Sequence, residues 1–146
     1  MIAYLDNSFL NRPFDDPEIG TNKLDSEVLS FIIQLVGSGQ LNIVNSSVIE
    51  YENSLNSIAE RRMFVKEVLK QAKSYQNVNE RIKGRADNLV TEMKLSPIDA
   101  LHIVAAEEAK VDLFITCDYN IVKKYKGKLK VINPLEFLNY YEYANK

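Results

Sequence analysis

Four acids each adjoin an apolar segment: Asp6 after IAYL, Glu50 after SSVI, Asp99 at the head of DALHIVAA, and Asp118 after LFITC. Each has an ordinary explanation. Ser47-x-x-Glu50 has the spacing of a capping box, Ser96-x-x-Asp99 resembles one, and Asp6 and Asp118 suit helix N-caps. The helix dipole favours an acid at every one of these places. Taken singly, capping is the simpler account. Taken together, they point to chemistry. Carboxylates brought within roughly 4–6 Å raise one another's pKa unless a cation intervenes, and a divalent metal removes that repulsion. One histidine and one cysteine exclude a Cys/His zinc site. A bound metal therefore takes mainly oxygen ligands, as Mg²⁺ or Mn²⁺ does.

The charge pattern fits the same chemistry. The formal net charge is only −2, but residues 58–86 carry eight basic residues (Arg61, Arg62, Lys66, Lys70, Lys73, Arg81, Lys83, Arg85) against three acids. An acidic metal pocket beside a basic surface suits phosphodiester cleavage. A metal activates water and steadies the leaving oxygen, and the basic surface holds the polyanion.

The elements that must position these acids can be read from periodicity. Strands are predicted at 2–5, 41–44, 113–117 and 129–132. Helices are predicted over 24–36, about 46–56, 59–73, about 78–93, 97–109, 119–125 and from 134 onward. NRPFDDP, at 11–17, reads as a loop. Strands alternating with helices argue for a parallel sheet covered on both faces. Such sheets bind ligands outside the carboxyl ends of their strands, where the strand order reverses. Asp6, Glu50 and Asp118 all follow a strand. Asp99 begins a helix that leads into LFITC, and antiparallel packing of that helix brings its N-terminus to the same edge.

At 146 residues, 46% hydrophobic and 26% charged, the chain suits one globular domain over 1–146. No apolar run has the length of a membrane span. The N-terminus lacks the features of a signal peptide. A single Cys117 fits a reducing cytoplasm.

YLDNSFL, SSVIEYE, SPIDALHIVAAE and LFITCDYNI, in this order over residues 4–121, resemble the motifs of the PIN domain, and within it the VapC-like toxins of toxin–antitoxin pairs. The resemblance implies a three-layer α/β/α sandwich with a central parallel sheet. It implies a Mg²⁺- or Mn²⁺-dependent endoribonuclease, with RNA as substrate, an antitoxin as partner and a homodimer as assembly. Carried over by motif, Asp6, Glu50, Asp99 and Asp118 form the acidic pocket. Asp6 and Asp99 are the direct metal ligands, and Asp118 completes the cluster. Glu50 holds a second metal or orients the attacking water. Ser8 and Thr116 are hydroxyls that hydrogen-bond the carboxylates. Many members carry a further acid where this chain has Asn120, a neutral group that still hydrogen-bonds.

Other features have plainer readings. Arg62, Lys66, Lys70 and Lys73 share one predicted helix face, either solvated or in contact with RNA, and Arg85 is a further candidate for RNA contact. His102 reads as a half-buried, hydrogen-bonded histidine, Cys117 as a small core residue, and the tyrosines of the tail as packing for the last helix. The alternative function is a PIN-like module that binds RNA or a protein without cutting, which Asn120 permits. A phosphatase or phosphoreceiver fits less well, because position 8 is Ser and the second strand is followed by no acceptor Asp.

Overall fold

The computed structural model describes residues 1–145. The chain runs β1 (Ile2–Leu5), α1 (Asn7–Leu10), a 3-10 turn (Arg12–Phe14), α2 (Asn22–Gly37), β2 (Asn42–Ser46), α3 (Ser47–Ser54), α4 (Ala59–Leu69), β3 (Ser74–Gln76), α5 (Glu80–Met93), α6 (Pro97–Glu108), β4 (Leu113–Ile115), α7 (Tyr119–Lys124), β5 (Val131–Ile132) and α8 (Pro134–Ala144). The five strands form one sheet in the order β3-β2-β1-β4-β5, and every pairing is parallel. The chain winds outward from β1 to β3, returns through α5 and α6, and resumes on the other side of β1 as β4. The order therefore reverses between β1 and β4, which places a crevice at their carboxyl ends.

Alternation along the strands builds three layers. Leu5 and Ile43 meet Ile32, Ile33 and Val36 of α2 and Val68 of α4 on one face. Tyr4 points the opposite way, stacks on Phe114 at 5.1 Å and reaches His102 on α6. Tyr4, Phe9, Phe114 and Phe137 are the bulkiest fully buried side chains. A buried residue of that size contributes about 1.5–3 kcal/mol, and these four hold strands, α1 and α8 to one core. No helix among the described residues is long and apolar enough to cross a membrane.

Three elements depart from the expectation. Residues 74–76, Ser-Tyr-Gln, form an edge strand that has no apolar run to announce it. The helix predicted over 59–73 stops at Leu69, so Lys73 lies outside it, in the link to β3. The expected loop at 11–17 contains the 3-10 turn, and before it Asp6, at the end of β1, caps the short α1.

The entry to α6 matters most for the site. Lys94 ends α5 with φ 62°, a left-handed stop, and Leu95 then plugs into the core. Ser96 caps α6 by accepting the Asp99 N–H at 3.3 Å, and Pro97 occupies the first turn. Pro suits that position because its missing N–H has no helical partner to lose there.

Candidate active site

Asp6 is the anchor. Its N–H donates to the Ile115 carbonyl at 3.0 Å, which fastens the end of β1 to β4. Its carboxylate, only 4% exposed, accepts from the Asn7 N–H at 2.9 Å, the Ser8 hydroxyl at 2.8 Å and the Thr116 hydroxyl at 2.7 Å. A buried carboxylate needs such donors. Thr116 also accepts the Asp118 N–H at 2.9 Å, and Ser8 accepts the Cys117 N–H at 3.1 Å. The two hydroxyls therefore tie the ends of β1 and β4 into one rigid corner. Asp6 and Asp118 are both N-caps, of α1 and α7. The ordinary explanation and the chemical one fall on the same residues.

Asp99 enters from α6. Burial pushes its carboxyl up to about 6, and the charges of Asp6 and Asp118 push the same way, against the Ser96 hydrogen bond and the influence of His102. Asp6, Asp99 and Asp118 therefore share one electrostatic environment, as three acids gathered at one sheet edge must.

The acid that α3 contributes is Glu52, and the expectation for Glu50 is corrected. Glu50 is exposed, and it accepts from the Tyr75 hydroxyl at 2.6 Å and the Asn45 amide at 3.3 Å, at the β2–β3 side of the sheet. Glu52 lies 2.9 Å from His102 Nε2, and the same nitrogen lies 3.8 Å from Asp6 Oδ1. Single ligand atoms of Asp6, Glu52 and His102 all fall within 4.8 Å of one another. The signal was present in the sequence. Glu52 follows Val48 and Ile49 at helical spacings of four and three, so it shares their buried face, and Glu50 does not. The proposed Ser47 capping box also gives way, because Ser46 caps α3 and Ser47 instead accepts the Val78 N–H.

His102 is fully buried rather than half-buried. Burial disfavours the imidazolium, but the Glu52 hydrogen bond and the charges of Asp6, Glu52 and Asp99 outweigh it and raise its pKa. Asn120 is exposed and gives its backbone N–H to the Asp118 carboxylate at 2.9 Å. Cys117 is partly buried, and burial first of all pushes its thiol up to about 12.

The basic candidates are scattered. Arg62 donates to the Asn56 carbonyl at 2.6 Å. Lys66 and Lys70 line a cleft with Glu50, and Lys70 pairs with Glu67. Lys73 is exposed and pairs its backbone N–H with Ile43. Arg85 grips Glu107 through two bonds, 2.8 and 3.1 Å. Glu107 lies about 12 Å along α6 from Asp99 at a helical rise of about 1.5 Å per residue, so Arg85 stands away from the acids. Arg12, which sequence reasoning passed over, and Arg61, counted there only among the basic residues of 58–86, are closer. Arg12 and Arg61 line an open cleft of about 510 Å³ that begins at Asn7, Ser8 and Glu52. Asp15 pairs with both, at 2.9 and 3.2 Å.

The PIN domain family model matches residues 3–127, and the chain belongs to that family. No curated protein sequence matches it. Three solved structures are similar. VapBC2 from Rickettsia felis, bound to a DNA fragment from its promoter, is 14% identical with a TM-score of 0.59, covering 91% of this chain and 98% of that one. A toxin–antitoxin complex from Klebsiella pneumoniae is 19% identical with a TM-score of 0.59, over 90% and 97%. VapC20 of Mycobacterium tuberculosis, a Sarcin-Ricin loop cleaving toxin, is 15% identical with a TM-score of 0.56, over 83% and 93%. The fold is the one these toxin structures share.

Proposed function

We propose that this protein is a divalent-metal-dependent endoribonuclease and the toxin of a toxin–antitoxin pair. The observation that carries this reading is the approach of Glu52 to Asp6 within 4.8 Å, with Asp118 tied to Asp6 through Thr116 and Asp99 in the field of both, at the strand pair where the order reverses. The donor set fits Mg²⁺ or Mn²⁺. It is mainly hard carboxylate oxygen, and Asp99, raised to about 6 by burial first and then by the charges of Asp6 and Asp118, lies in a negative field that a cation would relieve.

When bound, the metal supplies Lewis acidity and a water acidic enough to attack phosphorus at neutral pH. Asp6 and Asp99 would hold it, with Asp118 completing the set. Ser8 and Thr116 keep the Asp6 carboxylate oriented. Glu52, rather than Glu50, would add a carboxylate to this set from α3 and help orient the attacking water. Asn120 adds no charge, which favours a single metal. Arg12 and Arg61 line the cleft in which the RNA strand approaches, while Arg62, Lys66, Lys70, Lys73 and Arg85 contribute only general attraction. The whole chain, 1–146, acts as one domain in the cytoplasm, as a homodimer held in check by an antitoxin. The similar toxin–antitoxin structures support that partner.

A second reading has one observation in its favour. Asn120 is neutral where many relatives carry an acid, which suits a module that binds RNA or a protein without cutting. Incubating purified protein with total RNA in Mn²⁺ or Mg²⁺, against EDTA and against Asp6→Asn, decides between them. Discrete metal-dependent fragments that Asp6→Asn abolishes establish the nuclease. RNA left intact by partner-free protein, with metal present, favours the binding module.

A further inference from the structure

His102 is the single histidine of the chain, fully buried in the apolar body of α6, yet both ring nitrogens are engaged. Nε2 meets Glu52 at 2.9 Å. Nδ1 meets the Tyr4 hydroxyl at 2.7 Å, and that hydroxyl meets Ser46 Oγ at 2.8 Å. Ser46 Oγ in turn accepts the Ile49 N–H at 3.0 Å, which starts α3, the helix that carries Glu52. The chain of contacts is closed: Glu52, His102, Tyr4, Ser46 and back to α3. It joins the elements that carry three of the clustered acids, namely β1 through Tyr4, α6 through His102 and α3 through Ser46.

The hydrogen positions follow from the acceptor at one end. A carboxylate accepts only, so Nε2 carries the proton and donates to Glu52. With a neutral ring, Nδ1 accepts from Tyr4, and Tyr4 accepts from Ser46. With a charged ring, Nδ1 donates to Tyr4, and Tyr4 passes its own hydrogen to Ser46. The Nε2–H···Glu52 bond is the same in both arrangements. Tyr4, Ser46 and His102 are each 0% exposed, and no water competes for these bonds. Buried bonds of this kind hold geometry firmly.

Resting on the metal-dependent reading above, we infer that His102 is a positioning residue. The Ser46–Tyr4–His102 chain turns the Glu52 carboxylate toward Asp6, where it adds its oxygen to the set that receives the metal. Without the chain, Glu52 is a partly exposed side chain on a short helix, free to swing into the open cleft beside it.

Mn²⁺ binding without RNA, followed by the loss of the free-ion EPR signal, tests this in the whole protein. The variants are Glu52→Gln, His102→Gln, the double substitution and Tyr4→Phe. Tyr4→Phe breaks the chain two bonds from Glu52 and keeps the ring that fills the core. Leu89→Ala, on α5, is the control for lost stability alone. The expected result is a Kd raised about tenfold in His102→Gln and Tyr4→Phe, the lower range for groups that orient metal ligands. The double variant should be no worse than Glu52→Gln, because both changes break one unit. Leu89→Ala should lower Tm and leave Kd unchanged. An unchanged Kd in His102→Gln and Tyr4→Phe, or additive losses in the double variant, overturns the positioning role and leaves the nuclease reading standing. A nitrogen coupling on bound Mn²⁺ overturns it too, by making His102 a ligand. No Mn²⁺ binding by the unsubstituted protein overturns both.

Discussion

Glu50 and Glu52 are two residues apart, and at about 100° per residue they point to nearly opposite sides of α3. One bonds Tyr75 at the edge of the sheet, and the other meets His102, whose Nε2 also lies 3.8 Å from Asp6. Cleavage should follow that geometry. Glu52→Gln should slow RNA cleavage about 100-fold, the scale of a positioned proton acceptor, while Glu50→Gln stays within about twofold, as surface changes do. Initial rates on one RNA separate them. Asp99 makes a different prediction. Its folded pKa, about 6, lies above its ordinary value of 3.8, so the folded state favours its protonated form. The resulting stabilisation is complete below the unfolded pKa and is lost as pH rises through about 6. In metal-free protein at pH 8, Asp99→Asn should therefore stabilise the fold, by about 1 kcal/mol once solvent screening of this half-buried group is allowed for. At pH 3 the gain should vanish. Urea titrations at the two pH values measure both.

At the scale of elements, the acids depend on how helices begin. α6 starts where it does because α5 stops at Lys94, Ser96 caps the next helix and Pro97 follows. Lys94 carries a side chain in a left-handed conformation that costs a non-glycine residue about 1–2 kcal/mol. Lys94→Gly should recover about 1 kcal/mol of that. Ser96→Ala should lose about 1 kcal/mol with the cap. It should also weaken cleavage, because the first turn that it fixes presents Asp99. Chemical denaturation of the two variants, set beside their cleavage rates, distinguishes a change in stability from a change in the site. α6 was legible because Ser-Pro and an apolar run mark it plainly. β3 was not, because Ser-Tyr-Gln at an edge owes its place to Val44, Asn45 and Ser46 beside it and not to its own composition.

At the scale of the molecule, strand order makes the site. β1 lies central, and β4 pairs with it across 110 residues of chain, which brings Thr116 to Asp6 at 2.7 Å. Phe114 stands behind that pairing, stacked on Tyr4. Phe114→Ala should cost about 3–5 kcal/mol, read as a lower urea midpoint with an unchanged slope. Metal should act in the other direction. At one hundred times its Kd, Mn²⁺ should stabilise the folded protein by about 2.7 kcal/mol, and EDTA should reverse the rise in Tm.

The sequence by itself determined the fold class, the strands β1, β2 and β4, the buried helix α6 and the caps that Asp6 and Asp118 supply to the helices after β1 and β4. These are local properties: apolar periodicity, and acids set where strands end and helices begin. Tertiary structure decided the rest. It brought Glu52 to His102 through the packing of α3 against α6, and left Glu50 beside Tyr75 at the sheet edge. It gave His102 partners on β1 and α3 that lie 98 and 50 residues away. It turned Arg85 toward Glu107 and brought Arg12 and Arg61 to the cleft. A long side chain takes its direction from whatever partner the fold places within reach, and that choice cannot be made from spacing along the chain.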